Sequence, residues 1–268
     1  MRPPDTAKIS LDEGAELDPL QYAVAMRDND VLSLVRTALD AGNAQLAFQP
    51  VVTTGDHGRI AFYEGLIRLH DATGRVIPAQ HFMSDVADTE LGRDIDCAGL
   101  RLAFNMLAAN PSLRLSVNMS ARSIGDGEWR DVLRTRLDAQ PRLGERLILE
   151  IGESSAMQLH EVVIRFMNEL QPHGVAFALD DFGAGFTAFR FLKDFFFDLV
   201  KIDRHFIRDI QASPDNQVLT EALITVTHQF EMFAVAQGVE TAAEVAVLQA
   251  LGVDCMQGYH FGIPKFSL

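Results

Sequence analysis

The sequence predicts an α/β protein with a largely parallel sheet closed into a barrel and opened by an antiparallel hairpin. Three observations carry this. Two strand-like runs, 46–52 and 60–69, flank the turn Gly55-Asp56-His57-Gly58. Beyond them, short apolar runs alternate with longer amphipathic segments, the signature of repeated βα units. Polar residues also recur at or just past the ends of those apolar runs, as they do where barrel strands open on one face.

Taken in order, residues 1–28 mix Pro, Gly and acids without sustained periodicity and read as an acidic N-terminal tail, with the domain spanning 29–268. Val31, Leu34, Val35, Ala38 and Leu39 recur at helical spacing, with Asp28 or Asn29 as N-cap and an end near Ala41-Gly42. The hairpin follows, with LAFQPVV (46–52) and IAFYEGLIRL (60–69) as its arms. The later strands are predicted in LRLSVNMS (113–120), RLILEIGE (146–153), VAFALDDFG (175–183), DLVKIDR (198–204), FAVAQGVE (233–240) and DCMQGYHFG (254–262).

The chain has 268 residues, with 23 Lys and Arg against 37 Asp and Glu, a formal charge of −14. Such a balance argues against DNA or an anionic membrane surface as main partner, because phosphate binding needs clustered Lys and Arg. Cations suit it better. No apolar run reaches the roughly 18–20 residues of a membrane span, and the start lacks a signal peptide's pattern, so a cytoplasmic location is expected. Cys97 and Cys255 form no CxxC pair and read as buried thiols, and the eight histidines form no HExxH and read as surface or core residues. Trp129 reads as a packing anchor.

The chemistry lies at the run ends: Asn118, Glu150, Asp180 with Asp181, Lys201, Gln237 and Gln257. Together with Glu64 they gather four carboxylates and a neutral oxygen donor, a hard donor set suited to Mg²⁺, Mn²⁺ or Ca²⁺ rather than zinc. Two such ions typically hold the attacking and leaving oxygens of a phosphoryl displacement, and Lys201 could orient the water. A second reading takes Gly183-Ala184-Gly185-Phe186-Thr187-Ala188 as a dinucleotide fingerprint with Asp203 as the ribose-binding acid. Two carboxylates directly before the glycines would repel a pyrophosphate, so a mobile loop is the better account. Enolase-type barrels also combine strand-end carboxylates, Mg²⁺ and Lys, for proton abstraction.

The ordered motifs resemble those of the EAL domain, the bacterial phosphodiesterase and receptor family for cyclic di-GMP. Glu64-Gly65-Leu66 with Arg68 resembles the EAL motif, with Gly in place of Ala. Ser116-Val117-Asn118-Met119-Ser120 and Glu150-Ile151-Gly152-Glu153-Ser154 resemble the asparagine and second glutamate motifs. Asp180-Asp181-Phe182-Gly183-Ala184-Gly185-Phe186 resembles the DDFGTGYS loop, Lys201-Ile202-Asp203 the KID motif, and Gln257-Gly258-Tyr259 the QGY motif. The DDFG loop, the NMS and QGY motifs and the lack of a capping domain favour this family over the enolase type.

The resemblance implies a modified TIM (β/α)8 barrel with an antiparallel first strand. It implies Glu64, Asn118, Glu150 and Asp180 at one Mg²⁺ or Mn²⁺ ion, and Asp180 with Asp181 at a second. Lys201, Glu64, Asp180 and Gln237 are the implied catalytic set, with Lys201 positioning the water. Gln49, Arg68, Asn118, Asp203, Glu240 and Gln257 are implied in binding cyclic di-GMP, Arg68 at a phosphate, and Glu153 in steadying the loop. Gln237 stands where the family's EGVET motif has glutamate, and an amide has neither charge nor basicity. A weakened second metal site and reduced turnover follow, so a slow phosphodiesterase and a cyclic di-GMP receptor compete as functions. The aromatic segment Phe186, Phe189, Phe191 and Phe195-Phe196-Phe197 reads first as core and second as a homodimer contact after the DDFG loop.

Overall fold

In the computed structural model, residues 31–55, 58–79, 82–87, 89–185 and 189–268 are described. Helix α1 (31–40) turns Val35 and Ala38 inward. The predicted caps Asp28 and Asn29, the acidic tail, turn residues Asp56 and His57, and Phe186 lie outside the described residues.

β1 (Ala44–Thr53) and β2 (Ile60–His70) form the predicted antiparallel hairpin, in one register from Ala44 opposite Leu69 to Val51 opposite Phe62, after which a bulge sets Val52 opposite Ile60. A two-residue strand β3 (Val76–Ile77), which the sequence reading does not anticipate, pairs antiparallel with the end of β2. After α2 (Met83–Val86) and α3 (Glu90–Ala109), strands and helices alternate: β4 (Leu115–Met119), α4 (Gly127–Ala139), β5 (Leu147–Gly152), α5 (Glu153–Gln158), α6 (His160–Leu170), β6 (Ala176–Phe182) and α7 (Phe189–Leu192). The chain completes the pattern with β7 (Leu199–Ile202), α8 (Arg204–Ile207), α9 (Pro214–Gln229), β8 (Phe233–Ala236), α10 (Ala242–Ala250) and β9 (Cys255–Gln257). Each later predicted run contains a strand, trimmed at its ends.

The sheet runs β1-β9-β8-β7-β6-β5-β4-β2-β3, and the β1–β2 pairing closes its first eight members into a barrel. β1 is antiparallel to both neighbours, β2 and β9, whereas β2 and β4 to β9 run parallel. The predicted modified TIM barrel with an antiparallel first strand is therefore the observed fold. Among the described residues, no helix is long and apolar enough to cross a membrane.

Strand side chains alternate between faces, so the barrel separates two apolar regions. Outward residues such as Leu115, Leu149, Leu179 and Val200 pack under the helices in a large core with Phe104, Trp129 and Phe166. Trp129 is fully buried, its ring centroid 5.7 Å from that of Phe166, as expected of a packing anchor. Inward residues Val51, Phe62, Ile148, Ala178, Leu199 and Val235 form a small separate cluster that plugs the barrel. Cys97 is buried as expected, but Cys255, the first residue of β9, is only partly so; both thiols are free, and burial pushes each to about 11.

The caps that end helices are local and readable: Asp126 accepts from Trp129 N, Ser213 from Asn216 N ahead of Pro214, and Thr241 with Glu244 forms a capping box. One close approach is specific to this closure. Gly258 lies against the backbone of Val239, so that a Cβ there would stand 2.0 Å from Val239 O. The contact is held by Val239 N donating to Gln257 O at 3.0 Å. Gly258→Ala must separate the segments that follow β8 and β9, and overpacking of this kind costs roughly 1–3 kcal/mol. Urea unfolding should show a lowered midpoint with an unchanged m-value.

Candidate functional site

Alternation along the strands sets what lies above the apolar plug. Two residues on from Phe62, Ile148, Ala178, Leu199, Val235 and Cys255 come Glu64, Glu150, Asp180, Lys201, Gln237 and Gln257. β1 runs the other way, so Gln49 precedes Val51 and still reaches the same level. With Asn118 from β4, all eight barrel strands thus deliver polar side chains to one end of the barrel.

Lys201 stands at their centre, fully buried. Its Nζ donates to Glu150 Oε2 at 2.6 Å and to Glu64 Oε2 at 2.9 Å, and Asp180 Oδ1 lies 3.6 Å away. Amides close the ring. Asn118 Nδ2 donates to Glu64 Oε1 at 2.9 Å, and Gln257 Nε2 to Glu64 Oε2 at 2.5 Å and Gln49 Oε1 at 3.2 Å. Gln49 Nε2 in turn donates to Gly262 O at 3.1 Å. Gln237 Nε2 donates to Asp180 Oδ1 at 2.8 Å.

Three carboxylates share one ammonium here, and the charges distort one another. Burial works against the Lys201 ammonium, but Asp180, Glu150 and Glu64 outweigh it and hold the lysine well above its ordinary range. Burial also raises Glu64, yet Lys201 and the Gln257 and Asn118 hydrogen bonds leave it net lowered. Glu150 goes the other way. Burial and the neighbouring Glu64 push it to about 8 despite Lys201, and its Oε1 is buried with no hydrogen-bond partner among the described residues.

A surplus of buried carboxylate with an unused lone pair suits a hard divalent cation, and the donors are all oxygens. Lys201 nevertheless fills the space between them, and among the described residues no three His, Cys, Asp or Glu side chains are arranged to hold an ion. Asp181, with φ of 55°, turns away from the strand toward the mouth; burial, then Asp180 and Asp203, raise it to about 6.

Above this ring opens a cavity of about 700 Å³ lined by Gln49, Glu64, Asp181, Asp203, Gln237, Glu240 and Gln257, with Arg204, His205, Arg208 and Tyr259 on its rim. Arg68 is not among the lining residues; its guanidinium donates to Ile67 O at 3.0 Å. Glu153 Oε2 accepts from Gly183 N at 3.0 Å, joining the start of α5 to the loop after β6. Glu244, from α10, accepts from the backbone N–H groups of Asp209, Glu240 and Thr241, fixing the segment that carries Glu240.

Comparison with known proteins decides the family: the model of the EAL domain matches residues 33–264. The chain belongs to the EAL domain family. A curated relative, the cyclic di-GMP phosphodiesterase NbdA of Pseudomonas aeruginosa, is 29% identical over 235 residues, covering 86% of this chain and 30% of its own length. The chain spans about a third of the length of several curated relatives it matches. Among solved structures, the FimX EAL domain from Pseudomonas aeruginosa bound to c-di-GMP superimposes with a TM-score of 0.80 at 26% identity, covering 89% of this chain and 97% of that one. The PaMucR phosphodiesterase in complex with c-di-GMP gives 0.76 at 26% identity, with 88% and 97% covered.

Within this EAL domain, the sequence motifs deliver the inner ring, but the structure adds residues they do not mark. His205, expected as surface or core, stands on the cavity rim: its Nδ1 lies 2.5 Å from Asp203 Oδ1, which also accepts from His205 N at 2.7 Å. The histidine's position two residues after Asp203, past the end of a strand, was the available signal. Asp96, on α3, is a second omission. Its Oδ2 accepts from Ser120 N and Ser123 Oγ, both at 2.7 Å, pinning the segment just after Asn118.

Burial raises Asp96 to about 6 even against those two hydrogen bonds. A carboxyl raised above its unfolded value binds protons more readily when folded, so its charge costs stability progressively as pH rises from about 4 to 6. Asp96→Asn keeps an acceptor and removes the charge. Urea unfolding between pH 4 and 8 should show the variant more stable than the parent at pH 7–8, by up to about 2 kcal/mol, with the gap closing toward pH 4.

Proposed function

We propose that this EAL domain binds cyclic di-GMP in the barrel-mouth cavity and hydrolyses it slowly to linear pGpG. The observation that carries the proposal is the convergence of Glu64, Glu150 and Asp180 on Lys201 beneath that cavity, with Asn118 on Glu64. Relatives named as cyclic di-GMP phosphodiesterases and neighbours solved with c-di-GMP support the ligand.

In this reading Glu64, Asn118, Glu150 and Asp180 would hold one Mg²⁺ or Mn²⁺ ion once the Lys201 ammonium gives up the space between them, and Asp180 with Asp181 would hold a second. Such ions polarise a phosphoryl oxygen and acidify bound water. The reaction adds water across one phosphodiester: a P–O bond to the water oxygen forms, the P–O bond to the 3′ oxygen breaks, and that oxygen takes up a proton. Lys201 supplies N–H donors on the floor of the site and orients the water. Gln49, Asp203, Glu240 and Gln257 contact the ligand from the walls, and Arg68 reaches a phosphate by leaving the Ile67 carbonyl. Glu153 steadies the loop through Gly183.

Gln237 favours a second reading, a cyclic di-GMP receptor with little turnover. Its amide can neither take a proton nor add charge, and its N–H occupies Asp180 Oδ1. A homodimer through the segment after the Asp180–Gly185 loop is also proposed. Phe195 and Phe197 are spent in the core there, leaving the exposed Phe196 for such a contact.

Chromatography of cyclic di-GMP incubated with the domain and Mg²⁺ or Mn²⁺ tests the reading. Gln237→Glu should convert it to pGpG at least tenfold faster than the parent, since a positioned base contributes on the order of 10²–10⁴. Equal and fast rates would overturn the impairment. Calorimetry showing no cyclic di-GMP binding with or without divalent ions would overturn the ligand itself.

A further inference from the structure

The cavity has two chemically different walls. Glu64, Asp181, Asp203 and Glu240 are the acids of its lining. Arg204, His205 and Arg208, within five consecutive residues of one short turn, are the basic side chains among the described lining residues. In a chain with only 23 Lys and Arg against 37 acids, this concentrates positive charge at one place in the cavity, where it can meet an anionic ligand.

The basic wall is also held in shape. Asp203, almost fully buried, accepts from both the N–H and the Nδ1 of His205, which leaves Nε2 as the free ring atom. Asn216, from α9, donates to His205 O at 3.2 Å. The stem of Arg204 lies against Gly238, where a Cβ would stand 2.8 Å from Arg204 Cβ and where φ is +73°. Gly238 thus both adopts a backbone that favours glycine and makes room for the arginine. Arg208 has only a 4.0 Å contact to the exposed Asp209, a weak pair in solvent, so its guanidinium is available.

We infer that Arg204 and Arg208, carried on the turn that Asp203 fixes through His205, form a second anion subsite, which binds the phosphate of the dinucleotide that does not lie over the carboxylate ring. The inference rests on the cyclic di-GMP reading and deepens it. A ligand with two phosphodiesters on opposite sides of one ring presents one of them away from the carboxylates and their ions, and Arg204 and Arg208 are the arginines among the described lining residues of the cavity. Guanidinium forks match phosphate oxygens in pairs.

The test is calorimetric titration of cyclic di-GMP into the domain with Mg²⁺ at low salt. Arg204→Ala/Arg208→Ala should bind at least tenfold more weakly than the parent, while Arg204→Lys/Arg208→Lys, which keeps the charge, recovers part of the loss. Arg101→Ala/Arg134→Ala, two exposed arginines outside the cavity, serves as the control for net charge and should stay within twofold. Raising NaCl should narrow the gap between parent and the Arg204/Arg208 alanine variant. Unchanged affinity in that variant, or an equal loss in the control, overturns the subsite. A parent that does not bind cyclic di-GMP overturns the ligand reading, and the subsite with it. Thermal melts of each variant matching the parent show that affinity, not folding, is being read.

Discussion

A lysine ammonium removed from water and shared among three carboxylates is the constraint on which the rest of this barrel depends. Burying ions costs several kcal/mol each unless geometry and hydrogen bonds compensate. Here the compensation must come from four strands at once, since Lys201, Glu64, Glu150 and Asp180 each project from a different one. The closed barrel supplies that convergence, and the apolar plug of Phe62, Ile148, Ala178, Leu199 and Val235 shuts water out from below. A low-dielectric floor strengthens every charge interaction above it. The plug and the polar ring are therefore one device, two successive layers of the same strand alternation.

The reversed first strand matters for the same reason. Because β1 runs against its neighbours, Gln49 approaches the ring from a chain travelling toward the floor, and its amide joins Gln257 to Gly262 near the C-terminus. Gln257 then donates to Glu64 Oε2, the same oxygen that takes the Lys201 ammonium, while Asn118 holds Oε1. The seam where the barrel closes is thus pinned by the same amides that orient a central carboxylate, and Gly258 permits the close backbone approach beside them.

Much of this was legible because strand alternation is a strict rule. Once the apolar runs are aligned, Glu150, Asp180, Lys201 and Gln257 fall at the same level with no structure in hand, and the hairpin follows from its turn. What stayed hidden has physical reasons. Asp96 acts from a helix, where period 3.6 mixes buried and exposed polar residues and nothing marks one that reaches back to the segment after a strand. The basic wall formed by Arg204, His205 and Arg208 lies beyond a strand end, where charged residues are expected anyway, and only the cavity shows which way it faces. β3 is too short for periodicity to reveal. Where Arg68 points is a rotamer choice that sequence does not encode.

Gln237 links the electrostatics of the ring to the choice between turnover and sensing. A carboxylate at that position would face Asp180 across a short gap and add a fourth charge to a cluster whose Glu150 is already raised to about 8 by burial and its neighbours. Without a cation that state would be strongly unfavourable, so such a site would recruit ions to relieve it. The amide reverses the logic: its N–H satisfies Asp180 directly, lowering the free energy of the ion-poor ring and the incentive to fill a second metal position. In the proposed reading, the substitution therefore trades ion recruitment for a stable, ligand-ready cavity. On that proposal the chemistry at the floor would weaken while the other lining residues of the cavity stay in place.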